Sequence, residues 1–321
     1  MTFILAKIQF NSEVSQKGKF FFLFFMKNSL VIYLVTSGIK IQNNCHKTCI
    51  IAERLLFLST KKKTDILIRM NTNILTKDKD PMGAAILDYA TTGKAGCLRV
   101  HSSMFEEDEM PVKHLFRQYK DMPLLEQMAL NMACGRVLDV GAGAGCHAMA
   151  LQDKGIAVKA IDISPLSCEA MKQRGIKDVE CINLFDEHLT HGFDTILLLM
   201  NGTGIAGKVT HLPHLLTRLK LLLQEGGQIL IDSSDLKYIY ENEDGSFDID
   251  LNAAYYGEVD YQMVYDGIKK KKNHPSSRVE GDSFDWLYVD FPLLHSIAES
   301  CALHCDLVAE GKHYDYLARL Y

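Results

Sequence analysis

Apolar residues follow two different periods from Gly135 onward, which predicts alternating strands and helices. The predicted strands are Arg136–Val140, Ala157–Asp162, Val179–Leu184, Phe193–Met200 and Gln228–Asp232. The predicted helices are Cys146–Lys154, 165–175 and 212–223, the last with one leucine-rich face. Repeated strand-helix units are typical of a parallel sheet with helices on both faces.

Segments of a different character flank these units. Asp80 and Pro81 form a cap and a first-turn proline, which predicts a helix to about Thr92. Further predicted elements before Gly135 are a strand at Leu98–Val100 and helices at Val112–Tyr119 and Pro123–Cys134. After the fifth strand, alternation predicts a β-hairpin from Tyr256–Asp266 and Phe284–Tyr288, joined by a polar loop with Lys269–Lys272. Closing elements are a helix at Phe291–Ala302 and strands at Asp306–Glu310 and Tyr314–Leu320.

Charge divides the chain near residue 70. The formal net charge of −5 is an average, since residues 1–69 carry 11 basic and three acidic side chains, a net of +8, whereas residues 70–321 carry −13. The first segment also holds eight of the 15 Phe and none of the seven Pro. It shows no sustained helical or strand period, so we treat it as a separate extension.

Three interpretations of residues 1–69 stay open. One is translated upstream sequence, with the natural start at Met70, in which case the segment is disordered or forms a stray helix. A second is a weak membrane anchor through the apolar run Phe20–Val35, although Lys27 interrupts it and a spanning helix needs about 20 apolar residues. A third is a signal peptide, but no small-residue cleavage site follows the run.

The nine cysteines show no disulfide framework, which favours a reducing compartment and a cytoplasmic location. Cys45, His46 and Cys49 have metal-ligand spacing, but no second ligand pair follows, so we predict no metal site.

The chemistry-bearing stretch is a glycine-rich turn where the first predicted strand becomes a helix. It runs Asp139-Val140-Gly141-Ala142-Gly143-Ala144-Gly145. Glycines permit positive φ and a close approach of backbone to ligand, and the helix start adds free N–H groups. Asp162 follows at the end of the next strand, where a carboxylate can accept both hydroxyls of a ribose.

The spacing of the turn separates two ligand classes. A dinucleotide site has G-x-G-x-x-G, but the third glycine position holds Cys146. With Asp139 two residues before Gly141, the turn resembles the first cofactor motif, D-x-G-x-G-x-G, of the class I S-adenosylmethionine-dependent methyltransferases. The resemblance covers about residues 134–321.

The resemblance implies a cofactor, S-adenosyl-L-methionine, and roles for individual residues. Asp139 would lie beneath the methionine moiety and brace the turn. The backbone of Gly141, Ala142, Gly143 and Gly145 would lie against the cofactor. Asp162 would bind the ribose, with Ile163 beside the adenine. Asn183 and Leu184 would flank the adenine, with Asp186 as a rival, and Asn201 would lie near the methyl group.

The resemblance also implies the fold and domain division. We expect an α/β, Rossmann-like, doubly wound sheet of seven mostly parallel strands with an antiparallel last strand. Residues 1–69 would be the atypical extension, 70–133 an N-terminal helical cap, and 134–321 the methyltransferase domain, with a hairpin insertion at 236–290.

No catalytic base is assigned, because alignment of the acceptor with the methyl group can suffice. Candidate groups near presumed lid or strand ends are His114, His211, His214, His313, Arg117 and Tyr119.

The acceptor is predicted to be a small molecule. Asn201-Gly202-Thr203-Gly204 lacks the two prolines and aromatic residue that follow Asn or Asp in DNA amino-methylating enzymes, and the acidic net charge disfavours a phosphate backbone. Neither nucleic acid nor stable membrane insertion is expected. Two other functions stay open: a catalytically silent S-adenosylmethionine-binding module and a nicotinamide-dependent oxidoreductase.

Overall fold

The computed structural model describes residues 20–26, 29–35, 73–242, 244, 246–248, 254–268 and 277–321. Residues 1–65 and 66–321 form two separate compact units. The proposed start at Met70, the Cys45–Cys49 spacing and the lysines 269–272 lie outside the described residues.

The first unit contains an antiparallel pair of strands, β1 (Phe20–Met26) and β2 (Ser29–Val35). Phe20 pairs with Val35 at one end of the ladder and Met26 with Ser29 at the other. The stray helix expected here is therefore wrong for this stretch, since aromatic and β-branched residues favour extended backbone.

The second unit contains six helices and twelve strands in its described part. Its helices are α1 (Pro81–Thr92), α2 (Leu124–Met132), α3 (Cys146–Asp153), α4 (Pro165–Gln173), α5 (Leu212–Leu222) and α6 (Phe291–Ser300). Its strands are β3 (Cys97–His101), β4 (Asp108–Glu109), β5 (Arg136–Val140), β6 (Ala157–Asp162), β7 (Asp178–Cys181), β8 (Phe193–Leu198), β9 (Leu223–Ser234), β10 (Glu258–Asp266), β11 (Arg278–Glu280), β12 (Phe284–Leu287), β13 (Cys305–Glu310) and β14 (Asp315–Leu320).

Seven strands form the central sheet in the order β13-β14-β9-β8-β5-β6-β7. Strands β5 to β9 pair in parallel, whereas β14 runs antiparallel to both neighbours, β9 and β13. The predicted doubly wound sheet with an antiparallel last strand is thus confirmed. The order reverses between β5 and β8, and in such sheets a ligand crevice opens there at the carboxyl ends of the strands, here called the carboxyl edge.

Successive residues of the central strands pack to opposite faces of the sheet. Leu138 and Ile196 pack with the leucines of α5 and with α6. Val137 and Leu197 pack on the other face with residues of α2, α3 and α4. This period-two alternation within strands that are apolar on both faces explains why the sequence reads as short continuous apolar runs.

A second sheet of five strands has the order β11-β10-β3-β4, with β12 also paired to β10. The predicted hairpin is confirmed by the antiparallel pairing of β10 with β12, where Val259 lies opposite Trp286. The other side of β10 pairs with β3, so that Tyr265 lies opposite Leu98. The N-terminal cap and the insertion therefore share one sheet, whereas the sequence predicted them as two separate parts.

The predicted helix Val112–Tyr119 forms two short 3-10 turns, Val112–Phe116 and Tyr119–Asp121. The chain leaves helical geometry at Arg117 (φ −59°, ψ 149°). At this position its guanidinium donates hydrogen bonds to the buried carboxylate of Glu126. This long-range ion pair stabilises the non-helical backbone more than the local sequence pattern favours a helix.

Two glycines with the same backbone angle allow a direct stability test. Gly145 and Gly155 both have φ +77°, but a Cβ at Gly145 would overlap Ile176 and lie 2.9 Å from Met171 Cγ, whereas Gly155 has nothing within 4 Å. We expect Gly155→Ala to cost about 1–2 kcal/mol from the left-handed backbone alone. Gly145→Ala should cost about 1–3 kcal/mol more through overpacking. Urea unfolding of both variants measures the difference, and equal losses would contradict the steric argument.

Candidate functional site

Backbone hydrogen bonds hold the glycine turn, residues 141–145, at the carboxyl edge. The N–H groups of Gly141 and Ala142 donate to Ile161 O on β6 (3.0 and 3.1 Å). Gly141 (φ 68°) and Gly143 (φ 55°) lie in the left-handed region that favours glycine. The sequence pattern therefore reflects a real conformational requirement of the turn.

The glycine turn leaves open space above its backbone at two positions. A Cβ on Gly141 would meet only Ile205 Cδ1, at 3.9 Å, and one on Gly143 would meet nothing nearer than 4.0 Å. Gly145, by contrast, is packed against Ile176. Because Gly141 and Gly143 carry no side chain, their backbone borders an open space, here called the glycine cradle. At Gly145 the absence of a side chain instead lets Ile176 pack against the turn.

Asp162 lies directly beside the cradle, at the end of β6. Its Oδ2 accepts a hydrogen bond from the Gly143 N–H (2.7 Å), and its Oδ1 accepts one from the Ser164 N–H (2.9 Å). Burial raises the pKa of Asp162 to about 6, and the negative charges of Asp80 and Asp139 add to the rise. Asp162 therefore lies beside the glycine turn at the end of β6, and its role toward a ribose stays a prediction.

Asp139 supplies an unsatisfied acceptor on β5. Asp139 is 2% exposed, and its buried Oδ2 has no hydrogen-bond partner in the part of the chain that the structure describes. Burial raises the pKa of Asp139, and the nearby His147 acts in the opposite direction. A buried polar atom without a partner requires an explanation, and a ligand donor is one.

A buried ionic cluster that sequence analysis missed joins α2 to α3. Glu126 Oε2 accepts hydrogen bonds from Arg117 Nη2 (2.5 Å) and lies 2.9 Å from His147 Nε2. Burial acts to raise the pKa of Glu126, but His147 and Arg117 outweigh it and hold that pKa below its usual range. The pKa of His147 is well above its usual value: burial opposes the rise, whereas Cys146, Glu126 and Asp139 produce it. The sequence signal for this cluster was Glu126 itself, an acidic residue within the apolar pattern of α2.

The turn after β8 is held by the carboxylate of Asp232 on β9. This carboxylate accepts backbone N–H groups of Met200 (3.1 Å), Asn201 (2.7 Å) and Gly202 (3.1 Å). Met200 (φ 66°) and Asn201 (φ 62°) are both left-handed, which costs about 1–3 kcal/mol each. Burial raises the pKa of Asp232 to about 6. Such local strain clusters at functional sites.

The side chain of Asn201 fastens the second sheet to this edge. Its Nδ2 donates to Leu287 O (3.1 Å) and its Oδ1 accepts from Ser233 Oγ (2.9 Å). Thr203 Oγ1 donates to the same Leu287 O (3.0 Å). The indole of Trp286 lies against Gly204, where a Cβ would overlap the ring. Strand β12 therefore lies beside the end of β8.

The remaining predicted cofactor residues lie near the ends of β6 and β7. Ile163 O accepts from the Leu75 N–H (2.9 Å). Asn183 Oδ1 accepts from the Phe185 N–H (2.8 Å), which closes a local turn, and Leu184 is buried. The rival Asp186 pairs instead with the exposed His188 (2.8 Å).

The candidate histidines lie in unlike surroundings. His114 is largely exposed, and partial desolvation of its ring together with the charge of Arg117 lowers its pKa. His211 is buried with Nδ1 3.2 Å from Ala206 O, and His214 stacks on Phe185 at 5.0 Å. His313 is exposed.

Within the described ranges, no group of three His, Cys, Asp or Glu side chains is placed to hold a metal ion. Among the helices described, none combines the length and the apolar character needed to cross a membrane.

One solved structure resembles this chain closely. A SAM-dependent methyltransferase from Bacteroides fragilis, crystallised with S-adenosyl-L-homocysteine, shares 54% sequence identity, with a TM-score of 0.70. The match covers 78% of this chain and 98% of that one.

More distant matches are weak. An S-adenosylmethionine-dependent methyltransferase from Clostridium acetobutylicum shares 15% identity over 63% of this chain and 92% of its own, with a TM-score of 0.47. The sugar N-methyltransferase KedS8 from Streptoalloteichus shares 14% identity over 60% of this chain and 84% of its own, with a TM-score of 0.41. No family model and no curated protein matches the sequence.

The glycine cradle, the central-sheet order and the 54% identity agree with one another. The chain therefore belongs to the class I S-adenosylmethionine-dependent methyltransferases.

Proposed function

We propose that this methyltransferase binds S-adenosylmethionine across the glycine cradle and methylates a small molecule held beneath the second sheet. The observation that carries the proposal is the buried, unpartnered Oδ2 of Asp139 under a cradle that a Cβ would fill. The residues present therefore fit the cofactor of this family.

We propose a different contact with the cofactor for each residue of the turn and for the two acids. Gly141, Ala142 and Gly143 would offer backbone to the cofactor, with Gly145 supporting the turn from below. Asp139 would accept from the methionine amino group, which gives its orphaned oxygen a partner. Asp162 would accept from the ribose hydroxyls.

The adenine end is proposed for the side chains that follow β6 and β7. Ile163 would lie against one side of the base, with Asn183 and Leu184 at the other. Because Asn183 Oδ1 already accepts from the Phe185 N–H, its amide position is fixed within the local turn.

The bound cofactor supplies an activated methyl group on a sulfonium, so the chemistry needs positioning rather than a strong protein nucleophile. The carboxylate of Asp232 fixes the turn that carries Asn201, which we propose as the neighbour of the methyl group. Correct orientation of acceptor and methyl group contributes about 7–11 kcal/mol to such a reaction. Here the second sheet and α1 would exclude water.

The acceptor region is proposed on the second sheet because β12 is fastened beside the end of β8. Trp286 lies against Gly204, and Phe284 packs edge-on against Trp286 with ring centroids 6.0 Å apart. Nearby, the hydroxyls of Tyr261 and Tyr288 are 3.0 Å apart. Aromatic surface with a few hydroxyl groups is typical of small-molecule sites. The net charge of −13 over residues 70–321 argues against a nucleic-acid acceptor.

We also propose that residues 1–69 lie outside the methyltransferase, whose parts are residues 70–133, 134–235 and 291–321, and the insertion 236–290. The match to the Bacteroides fragilis enzyme supports this division, since its 78% coverage is close to the share occupied by residues 70–321.

The ribose contact predicts a large effect of Asp162→Ala on cofactor affinity. Loss of hydrogen bonds to a charged acceptor costs about 1.5–3 kcal/mol, so the Kd for S-adenosylhomocysteine should rise about 10- to 100-fold in calorimetry. Asp178→Ala is the matched control, because Asp178 pairs with Lys159 (3.1 Å) at the start of β7, away from the carboxyl edge. Equal affinity of wild type and Asp162→Ala would reject the contact.

The pKa of Asp162 predicts how that affinity depends on pH. Ribose hydroxyls donate to the ionised carboxylate, so binding favours the deprotonated form and weakens as pH falls through about 6. We expect about a tenfold rise in Kd for S-adenosylhomocysteine between pH 7 and pH 5. Asp162→Asn should remove this step. A step of equal size in the variant would assign the titration to another group, such as Asp232.

The acceptor class is tested by transfer of label. Methyl-labelled S-adenosylmethionine is incubated with the enzyme and a cell extract, and label is expected in the small-molecule fraction. Trp286→Ala should reduce this labelling about tenfold or more while leaving affinity for S-adenosylhomocysteine unchanged. Tyr321→Ala, an exposed aromatic at the chain end, is the control. Label confined to nucleic acid or protein would contradict a small acceptor.

A further inference from the structure

The carboxylate of Asp80 joins helix α1 to the edge of the cofactor site. Asp80 is 1% exposed and caps α1, since its Oδ1 accepts from the Gly83 N–H (2.8 Å). Its Oδ2 accepts from the hydroxyl of Ser164 (2.5 Å), a residue 84 positions away in the sequence. One side chain therefore serves both its own helix and a distant one.

Ser164 continues the connection toward the glycine turn. Its Oγ accepts from the Ser167 N–H (2.9 Å) and so caps α4. Its own N–H donates to Asp162 Oδ1 (2.9 Å), and Asp162 Oδ2 accepts from the Gly143 N–H (2.7 Å). An unbroken series of hydrogen bonds thus runs from Asp80 to the cradle.

Close packing supports the same connection. A Cβ on Gly83 would overlap both Asp80 Oδ2 and Ser164 Oγ, so α1 approaches α4 as closely as glycine permits. Ile86, one turn further along α1, lies 4.0 Å from where a Cβ of Gly143 would be. Leu75, before α1, donates its N–H to Ile163 O (2.9 Å). Residues 73–92 therefore contact the cofactor edge at three separate places.

The orientation of Asp162 depends on both of its backbone donors. The Gly143 N–H is fixed by the glycine turn, whereas the Ser164 N–H is fixed by the start of α4. Among the described residues, the Ser164 hydroxyl takes part in two hydrogen bonds, to Asp80 and from Ser167. Removing the Asp80 acceptor would free this hydroxyl and alter the position of the donor that holds Asp162.

We propose that Asp80 is a positioning residue that, through Ser164, holds Asp162 in the orientation that receives the ribose hydroxyls of the cofactor. The docking of α1 is thereby coupled to the strength of cofactor binding. This inference rests on the ribose role of Asp162 in the proposed function.

A paired-ligand experiment tests this coupling in the full chain. Asp80→Asn keeps the Oδ1 acceptor of the helix cap but places an NH2 group, which donates and cannot accept, against the Ser164 hydroxyl. Calorimetry compares S-adenosylhomocysteine with its 2′,3′-dideoxy analogue, which lacks the ribose hydroxyls. We expect the variant to lose about fivefold in affinity for S-adenosylhomocysteine and nothing for the analogue.

Two further variants complete the design. Ser164→Ala should reproduce the ligand-dependent loss, and the double variant with Asp80→Asn should add little, since both break one network. Asp194→Asn is the matched control, because Asp194 Oδ2 accepts the Arg136 N–H (2.7 Å) at the opposite edge of the sheet. It should change neither affinity.

The outcomes separate this inference from the proposed function. Equal loss for both ligands, or no loss, in Asp80→Asn would overturn the positioning role and leave Asp80 as a helix cap only. Asp162→Ala measured with the same two ligands tests the ribose contact itself. If Asp162→Ala discriminates between the ligands and Asp80→Asn does not, the ribose contact stands and the coupling fails. If neither discriminates, both fail.

Discussion

Half-buried carboxylates that accept backbone N–H groups hold the carboxyl edge of the central sheet together. Asp162 bonds to Gly143 and Ser164, and Asp232 bonds to three successive residues of the turn after β8. Both turns leave strands that flank the order reversal between β5 and β8. Because a carboxylate can accept several donors at once, it can fix a turn whose backbone makes few hydrogen bonds of its own. The backbone of the turns at the carboxyl edge is therefore fixed by side chains from neighbouring strands.

This arrangement has an electrostatic cost that the surrounding residues offset. Burial raises the pKa of both Asp162 and Asp232 to about 6, so each is held closer to its protonated form than an exposed acid. The left-handed residues Met200 and Asn201 add backbone strain. Close packing of α2 to α4 on one face and α5 and α6 on the other supplies the compensating burial. The strained turn and the two carboxylates are therefore carried by strands that are packed on both faces.

Local sequence patterns predicted the strands and helices of the central sheet well, but they did not predict contacts between residues far apart in the sequence. The bounds of β6 and the start of α3 follow directly from periodicity and the glycine turn. The pairing of β10 with β3 could not be predicted, because alternation marks a strand but does not identify its partner more than 150 residues away. Asp232 reads as the last residue of an apolar strand, and Asp80 as an ordinary helix cap. Both carboxylates accept hydrogen bonds from donors on other elements, and the local spacing of residues does not predict such contacts.

The second sheet joins the N-terminal segment to the insertion. Strand β3 comes from the N-terminal segment and β10 and β12 from the insertion, yet they share one hydrogen-bonded ladder. Tyr265 on β10 donates to Asp88 on α1 (2.7 Å), and Asn201 fastens β12 to the turn after β8. The second sheet is thus bonded both to α1, which approaches the α4 start beside Asp162, and to the turn that carries Asn201. A change in the docking of α1 or of β12 would therefore reach the other element through β10, because both are hydrogen-bonded to that strand.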